Sequence, residues 1–544
     1  MIKTENDIFY LSAGETCYVF GIENGAPVHI YFGKRVERED DVRALGLGMN
    51  KIPELTVHMI NADGKTEPVN FVFSGAHVQD GGDKTLVVEL TDNRGLKAYM
   101  HYTPYPRGGI ARRVVIENRG MEVKLCSVKQ SVGCANDCKA IGADGCNNAT
   151  EVGYLVVAAS HGLSEQYGDA YGFLCAAADG SVKANGDCIS CDIFDAVDVG
   201  GEWNAPELLC VYSDSGVGGM TRVFHDILRE RSGEFSKHVP AVLFLPRQTA
   251  DEAISSAKAA AAMGFVVVAV DGGEYSAPDI HAIAEACREQ GLNIGLRVNR
   301  NNIHKDSALY YPMCKKSGGV YKYDCFDEHA LALLKALRGI IAQNDIRYVT
   351  IDAPNKVSNV EAVRGMLMLK ARLAEEFTGL RVDFGVKSDE MGKALTFCYP
   401  LECVRNIISP VPAENFKRRF DRATLGTLGY ELPSDLPEGI KRAVRAQLLS
   451  YMDDASTVMH GDVYRQYDCT GTCRMAVSKE KSRAYAVCDC RGAMRVKLFG
   501  LDEHNLYHVR EMNKTFSGAA LVHCGILLDE AGTYVFHILQ VADF

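Results

Sequence analysis

From residue 1 to about residue 231, apolar and polar side chains alternate in short segments broken by Gly, Asn and Asp. Residues 86–90, 98–102 and 111–118 combine period-two spacing with β-branched and aromatic side chains, which predicts strands. Many such segments in succession predict a large N-terminal β-sandwich over 1–231. Residues 223–231 then change to helical spacing, with Val223, Ile227 and Leu228 on one face.

Beyond this point the period changes. Residues 242–245, 265–270, 293–298, 348–351 and 380–384 are short runs apolar enough to be buried on both faces. Helical stretches at 253–263, 280–290, 329–343 and 360–376 separate them. Strand alternating with helix predicts a parallel (β/α)8-type, TIM-like barrel over 232–455. The region is short for that fold, which usually takes about 250 residues, so a shortened loop or missing strand is expected between Phe384 and Tyr399. After residue 451, alternation returns at 474–478, 483–487, 494–498 and 533–539, predicting an antiparallel β domain over 456–544. The fold class is therefore multidomain, all-β plus α/β.

Composition narrows the partners. A chain of 544 residues exceeds what one core serves, and 47% hydrophobic with 24% charged residues is an ordinary globular balance. A formal net charge of -11 argues against a nucleic-acid or anionic-membrane surface, because both need clustered Lys and Arg. The N-terminal residues are polar and acidic, and no apolar run is long enough to span a bilayer, so a cytoplasmic location is expected. In that setting the 19 cysteines read as free thiols. Cys134, Cys138 and Cys146 are separated from Cys188 and Cys191 by a long segment, so neither metal nor cofactor is predicted.

In a parallel barrel, chemistry sits where strands end at their C-terminal edge. Asp271, Asn299, Arg300 and Asp352 stand at such ends, and Asp383, Asp389 and Glu390 lie in or after the run at 380–384. Each has a plain structural reading beside the functional one. Asp271 precedes Gly272-Gly273 and reads equally as a turn aspartate. Asp352 precedes Ala353-Pro354 and could start a turn or cap a helix, and Asp389 reads as a solvated surface charge. The single tryptophan, Trp203, lies in the sandwich region, and Tyr275, Tyr310, Tyr311 and Tyr399 read as packing residues.

Several short strings follow one another along the chain. They include Tyr18-Val19-Phe20-Gly21, His29-Ile30-Tyr31-Phe32-Gly33-Lys34-Arg35, Gly218-Gly219-Met220-Thr221-Arg222, Gly426-Thr427-Leu428-Gly429-Tyr430-Glu431-Leu432 and Gly461-Asp462-Val463-Tyr464-Arg465. Their order and spacing resemble the scaffold of glycoside hydrolase family 36, the microbial α-galactosidases, over nearly the whole chain. The resemblance implies retaining hydrolysis of a terminal sugar, with a small carbohydrate or oligosaccharide as ligand, and is compatible with homo-oligomerisation. It implies Asp352 as nucleophile and Asp389 as candidate acid/base, and Asp271, Asn299 and Arg300, at the strand ends, are the candidate substrate-binding residues. Such chemistry needs two carboxylates roughly 5 Å apart.

The same comparison shows losses. Thr350 and Ile351 stand where that family has lysine and tryptophan. Val270-Asp271-Gly272-Gly273 resembles its Asp-Asp-Gly-Trp with one aspartate and the tryptophan missing. Gly295-Leu296-Arg297 stands where it has Gly-Leu-Trp, and the two glutamates that follow there are absent. The resemblance therefore leaves two readings open: a hydrolase, or a catalytically impaired carbohydrate-binding or scaffold protein.

Overall fold

The computed structural model describes residues 1–544 except 6, 47–51, 62, 121, 135–137, 142–153, 160–163, 176–179, 186–187, 194–196, 233–239, 313–314, 318–319, 324–326, 356–359, 388, 411–414, 433–435 and 542–544. For some residues within helices and strands it describes the backbone alone. The chain divides into two compact units, Met1–Glu230 and Arg231–Phe544.

The first unit is built of antiparallel sheets; among the described residues these have five, nine and six strands. Strand Leu96–Pro104 shows why they pack. Leu96, Ala98, Met100 and Tyr102 are buried while the residues between them are half-exposed, so one face of the pleat enters the core. It pairs with Ile110–Asn118 in a register running from Leu96 opposite Asn118 to Pro104 opposite Ile110. Side chains from all three sheets, among them Phe20, Val57 and Leu86, share one apolar core. Inside it Glu54 is fully buried and bonded to Arg112, Tyr18, Tyr102 and His29, so His29 serves structure.

The second unit opens with a closed parallel barrel. Its strands are β1 (Val242–Phe244), β2 (Val267–Asp271), β3 (Asn293–Val298), β4 (Tyr348–Asp352), β5 (Arg381–Val386), β6 (Val404–Ile408) and β7 (Thr427–Glu431). Helices alternate with them: α1 (Ala250–Met263), α2 (Ala277–Glu289), α3 (Asp327–Asn344), α4 (Val360–Glu376), α5 (Asp389–Leu395), α6 (Phe416–Ala423) and α7 (Glu438–His460). Local sequence sets the helix ends. Thr249 and Glu252 form a capping box at the start of α1, and Gly264 ends it in the left-handed conformation at φ 97°. Ala253, Ala257 and Ala260 recur every three to four residues on its buried face.

The barrel falls short of the usual eight strands, as its length leads one to expect: among the described residues the ring closes with seven, β7 pairing directly with β1. The stretch between Phe384 and Tyr399 carries the end of β5, the short α5 and no strand of its own among the described residues. A parallel crossover takes a dozen or more residues, and 387–403 supply only one such connection to β6.

Inward-facing positions alternate along each barrel strand. Val242, Phe244, Val267, Ala269 and Tyr348 form the apolar part of the lumen. Among them lies a fully buried ion pair, Arg405 of β6 with Asp383 of β5, at 2.8 Å. Tyr348 donates its hydroxyl to the same aspartate at 2.9 Å, and Arg405 donates to the Leu428 and Pro240 carbonyls.

The C-terminal part carries the strands β8 (Asp462–Asp468), β9 (Gly471–Val477), β10 (Arg483–Cys490), β11 (Leu506–Val509), β12 (Lys514–Ser517) and β13 (Gly532–Gln540). They form one antiparallel sheet in the order β8-β9-β10-β13-β11-β12 over a core that includes Cys473, Cys488, Cys490, Met494 and Phe536. Cys473 and Cys488 are free thiols directly opposite each other, their sulfurs 3.0 Å apart. Of the grouping considered for metal, Cys134, Cys188 and Cys191 are thiols outside any disulfide, while the side chain of Cys138 and the whole of Cys146 lie outside the described residues.

Candidate active site

The mouth of the barrel is organised around one guanidinium. Arg297 lies near the end of β3, in a strand otherwise apolar between Ile294 and Val298, so its side chain must find acids inside the ring. Arg297 Nε donates to Asp352 Oδ1 at 2.9 Å and Nη2 donates to Oδ2 at 2.6 Å. This two-point contact is the geometry in which guanidinium and carboxylate bind most strongly. The remaining arm, Nη1, donates to Glu431 Oε1 at 2.7 Å, and Lys387 Nζ donates to the same oxygen at 2.8 Å. The Phe244 ring lies under the guanidinium, 5.3 Å away.

Electrostatics follow from this packing. Burial works against the charge of Arg297, yet Asp352 and Glu431 hold its pKa above the ordinary value. Burial pushes Glu431 up, and Arg297 with Lys387 more than offset it, leaving that carboxyl below its usual range. Asp271 behaves oppositely. It is buried, Arg297 only partly compensates, and the neighbouring charges of Glu274 and Asp352 push the same way, so its pKa stands well above the usual carboxylate value. Glu274 is also raised, mainly by burial, and accepts from Asn302 Nδ2 at 2.5 Å.

The segment after β3 folds back over this side of the mouth. His304 N donates to the Gly273 carbonyl and Leu309 N to that of Gly272, and Ile303, Leu309 and Tyr323 are buried beneath the segment. Gly273 is required here, since an added Cβ would come within 2.5 Å of the Asn302 carbonyl, while one at Gly272 would press on Leu309 Cδ1 at 2.9 Å.

The candidates from sequence are placed as follows. Asp352 ends β4 at the mouth, 16% exposed, with both oxygens engaged by Arg297. Asp271 ends β2 under the folded-back segment, and its Oδ1 accepts the Gly273 amide in a turn. Asn299 Oδ1 accepts the Asn301 amide, another local turn bond. Arg300 follows it half-buried, its carbonyl accepting from Tyr323. Asp389 begins α5 after β5; its side chain lies outside the described residues, as does the whole of Ser388. Asp383, considered with these acids, lies instead in the sealed Arg405 pair. The structure thus joins Asp352 to Arg297, Glu431 and Lys387, three residues not singled out from the sequence as site residues. One signal was present: an arginine inside an apolar strand requires an acidic partner.

Comparison with known proteins accords with this architecture. No family model matches the chain. It is 22% identical over 444 residues to the bifunctional α-galactosidase/sucrose kinase AgaSK of Mediterraneibacter gnavus, covering 63% of this chain and 47% of that protein. It is 21% identical over 426 residues to the α-galactosidase AgaA of Geobacillus stearothermophilus, covering 60% of this chain and 58% of the relative. The chain thus matches only about half the length of these curated relatives. Among solved structures, the galactosidase domain of AgaSK superposes with a TM-score of 0.76 at 18% identity, over 99% of this chain and all of that one. A substituted form of AgaA solved with raffinose gives 0.75 at 18% identity, over 98% of this chain and 100% of that one. The α-galactosidase of Lactobacillus brevis gives 0.74 at 16%, covering 99% and 98%. The chain has the fold of the family 36 α-galactosidases, as the ordered strings in its sequence imply.

Proposed function

We propose that this chain is a non-hydrolysing relative of the family 36 α-galactosidases that binds a small neutral carbohydrate at the barrel mouth. The observation that supports this reading is the two-point pairing of Arg297 with Asp352. Retaining hydrolysis needs a carboxylate oxygen free to attack the anomeric carbon. Here both oxygens of the candidate nucleophile are committed to a cation that is itself pinned by Glu431 and stacked on Phe244. Attack would require breaking a charge-assisted bond in a largely dry site, which raises the barrier instead of lowering it. Arg297 also stands at the position where the resemblance places a tryptophan, so a stacking surface has been replaced by the group that occupies the nucleophile.

Carbohydrate as the ligand rests on the fold and on relatives whose structures were solved with raffinose and stachyose. The test uses the purified full chain with an aryl α-galactoside and with raffinose. The expected result is no product above the level of the Asp352→Asn variant, with binding detectable by calorimetry. Turnover by the unmodified chain that Asp352→Asn abolishes would show the hydrolase reading to be correct and this one wrong.

A further inference from the structure

Away from the barrel mouth, a cleft runs between the outer helices α6 and α7 and the C-terminal sheet. Its larger part has a volume of about 690 Å³, within the roughly 300–1,000 Å³ of small-molecule sites. Phe420, Tyr485, Tyr534 and Phe536 contribute rings to its wall. A smaller, more enclosed part of about 220 Å³ is lined by Asp453, Asp454, Thr457, Arg483, Arg510 and His537. His537 borders both parts.

The shared histidine is held rigidly. Its Nε2 lies 3.0 Å from Asp454 of α7 and its Nδ1 2.5 Å from Glu511, while the ring meets the Tyr485 ring edge-on at 5.1 Å. Bonds to Asp454 and Glu511 raise its pKa to about 9, so its charge is balanced by fixed acids. Around it, several polar groups are uncommitted. Gln447 accepts the Tyr430 hydroxyl through Oε1, and no bond is made by its amide nitrogen among the described residues. Among the described residues, Ser450, Asp453 and the guanidiniums of Arg483 and Arg510 have no side-chain partner either.

We propose that this cleft is a second binding site, for a neutral oligosaccharide. Charge decides the class of ligand. The smaller part presents the cations Arg483, Arg510 and His537 against Asp453 and Asp454, with Glu511 on the other side of His537. A phosphate or carboxylate would face the two aspartates, and a cation would face the arginines. A hydroxyl-rich neutral molecule satisfies both, donating to Asp453 and accepting from Arg483 and Arg510. The ring-bearing wall of the larger part suits the C–H faces of further sugar units, with Gln447 and Ser450 to receive their hydroxyls. At about 30 Å³ per water, the smaller part holds the space of about seven waters, which suits one ring-sized terminal unit.

The site is independent of the barrel mouth, so the experiment separates the two. Calorimetry with millimolar raffinose is run on the full chain, on Asp453→Ala/Arg510→Ala, on Ser450→Trp and on the mouth variant Asp352→Asn. All altered side chains in the cleft are exposed, and circular dichroism confirms that each variant is folded. The proposal expects both cleft variants to weaken raffinose binding by about tenfold or more, with Asp352→Asn retaining the cleft component. Wild-type affinity in both cleft variants would overturn it while leaving the mouth reading standing, and so would binding lost only in Asp352→Asn. No binding by the unmodified chain, or displacement of raffinose by inorganic phosphate, would overturn it too.

Discussion

Two arginine–aspartate pairs lie inside the same barrel and do different things. Arg405 with Asp383 is wholly sealed, and every strong bond it makes goes to barrel residues or to backbone at the barrel's base. Arg297 with Asp352 sits at the open end, 9% and 16% exposed, and Arg297 shares Glu431 with the more exposed Lys387. The lower pair joins neighbouring strands β5 and β6; the upper one joins β3 to β4 and reaches across to β7. The lesson is that the carboxylate at the mouth is paired with a guanidinium much as the one at the floor is. The carboxylate that ends β4 at the C-terminal edge of the barrel is tied between strands like the one sealed below it.

The largest effect that tests this contrast comes from the floor. Asp383→Ala leaves Arg405 buried without its partner and is expected to cost about 3–5 kcal/mol in chemical denaturation. Replacing both together, Asp383→Leu with Arg405→Met, should recover much of that loss; a double variant as unstable as the single would show that the aspartate matters for more than its charge partner. At the mouth, Arg297→Ala is expected to cost less, about 1–3 kcal/mol, because Asp352 and Glu431 can turn to water. Equal losses at the two pairs would break the comparison.

Asp271 gives a test by pH. Its folded pKa is raised, so its contribution to stability is complete below the ordinary carboxylate pKa near 4 and is lost progressively as pH rises above it. Asp271→Asn keeps the oxygen that accepts the Gly273 amide and removes the charge. The variant should melt above the unmodified chain at pH 8, with the difference vanishing near pH 4. A constant difference across that range would mean that burial of the charge is not what strains the site. The smallest effect is at the rim, where Glu431→Gln should cost under about 1 kcal/mol, since its Lys387 pair is open to solvent.

How far the sequence carried this picture differs between fold and site. Strands at 242–245, 265–270, 293–298, 348–351 and 380–384 were legible because a strand buried on both faces is apolar throughout, and helices such as 360–376 because one face repeats. β6 was not: Val404-Arg405-Asn406-Ile407-Ile408 carries an arginine and an asparagine whose partners, Asp383 and the backbone near Ala423, are set by closure of the ring. The site was hidden for the same reason. Arg297 meets Asp352 across 55 positions and Glu431 across 134, distances over which spacing carries no information. Asp352 stands out in the sequence as the acid that ends an apolar run, and Arg297 as a cation inside one, while their pairing is recognisable only once the strands are side by side.

The count of strands has a consequence of its own. In an eight-stranded barrel, alternate strands contribute to alternate layers of the lumen, an arrangement that needs an even ring. Seven cannot be divided that way, and a ring of seven is also narrower, since girth grows with strand number. Omitted side chains absorb the difference. An added Cβ at Gly295 would stand 2.5 Å from the Tyr348 ring, at Gly429 2.6 Å from the Phe244 ring, and at Gly385 2.8 Å from Asp352 Oδ1. A methyl group added at any of these glycines would press on the barrel's own side chains, Asp352 among them, so the space beside Asp352 is set by the ring as well as by the loops around it.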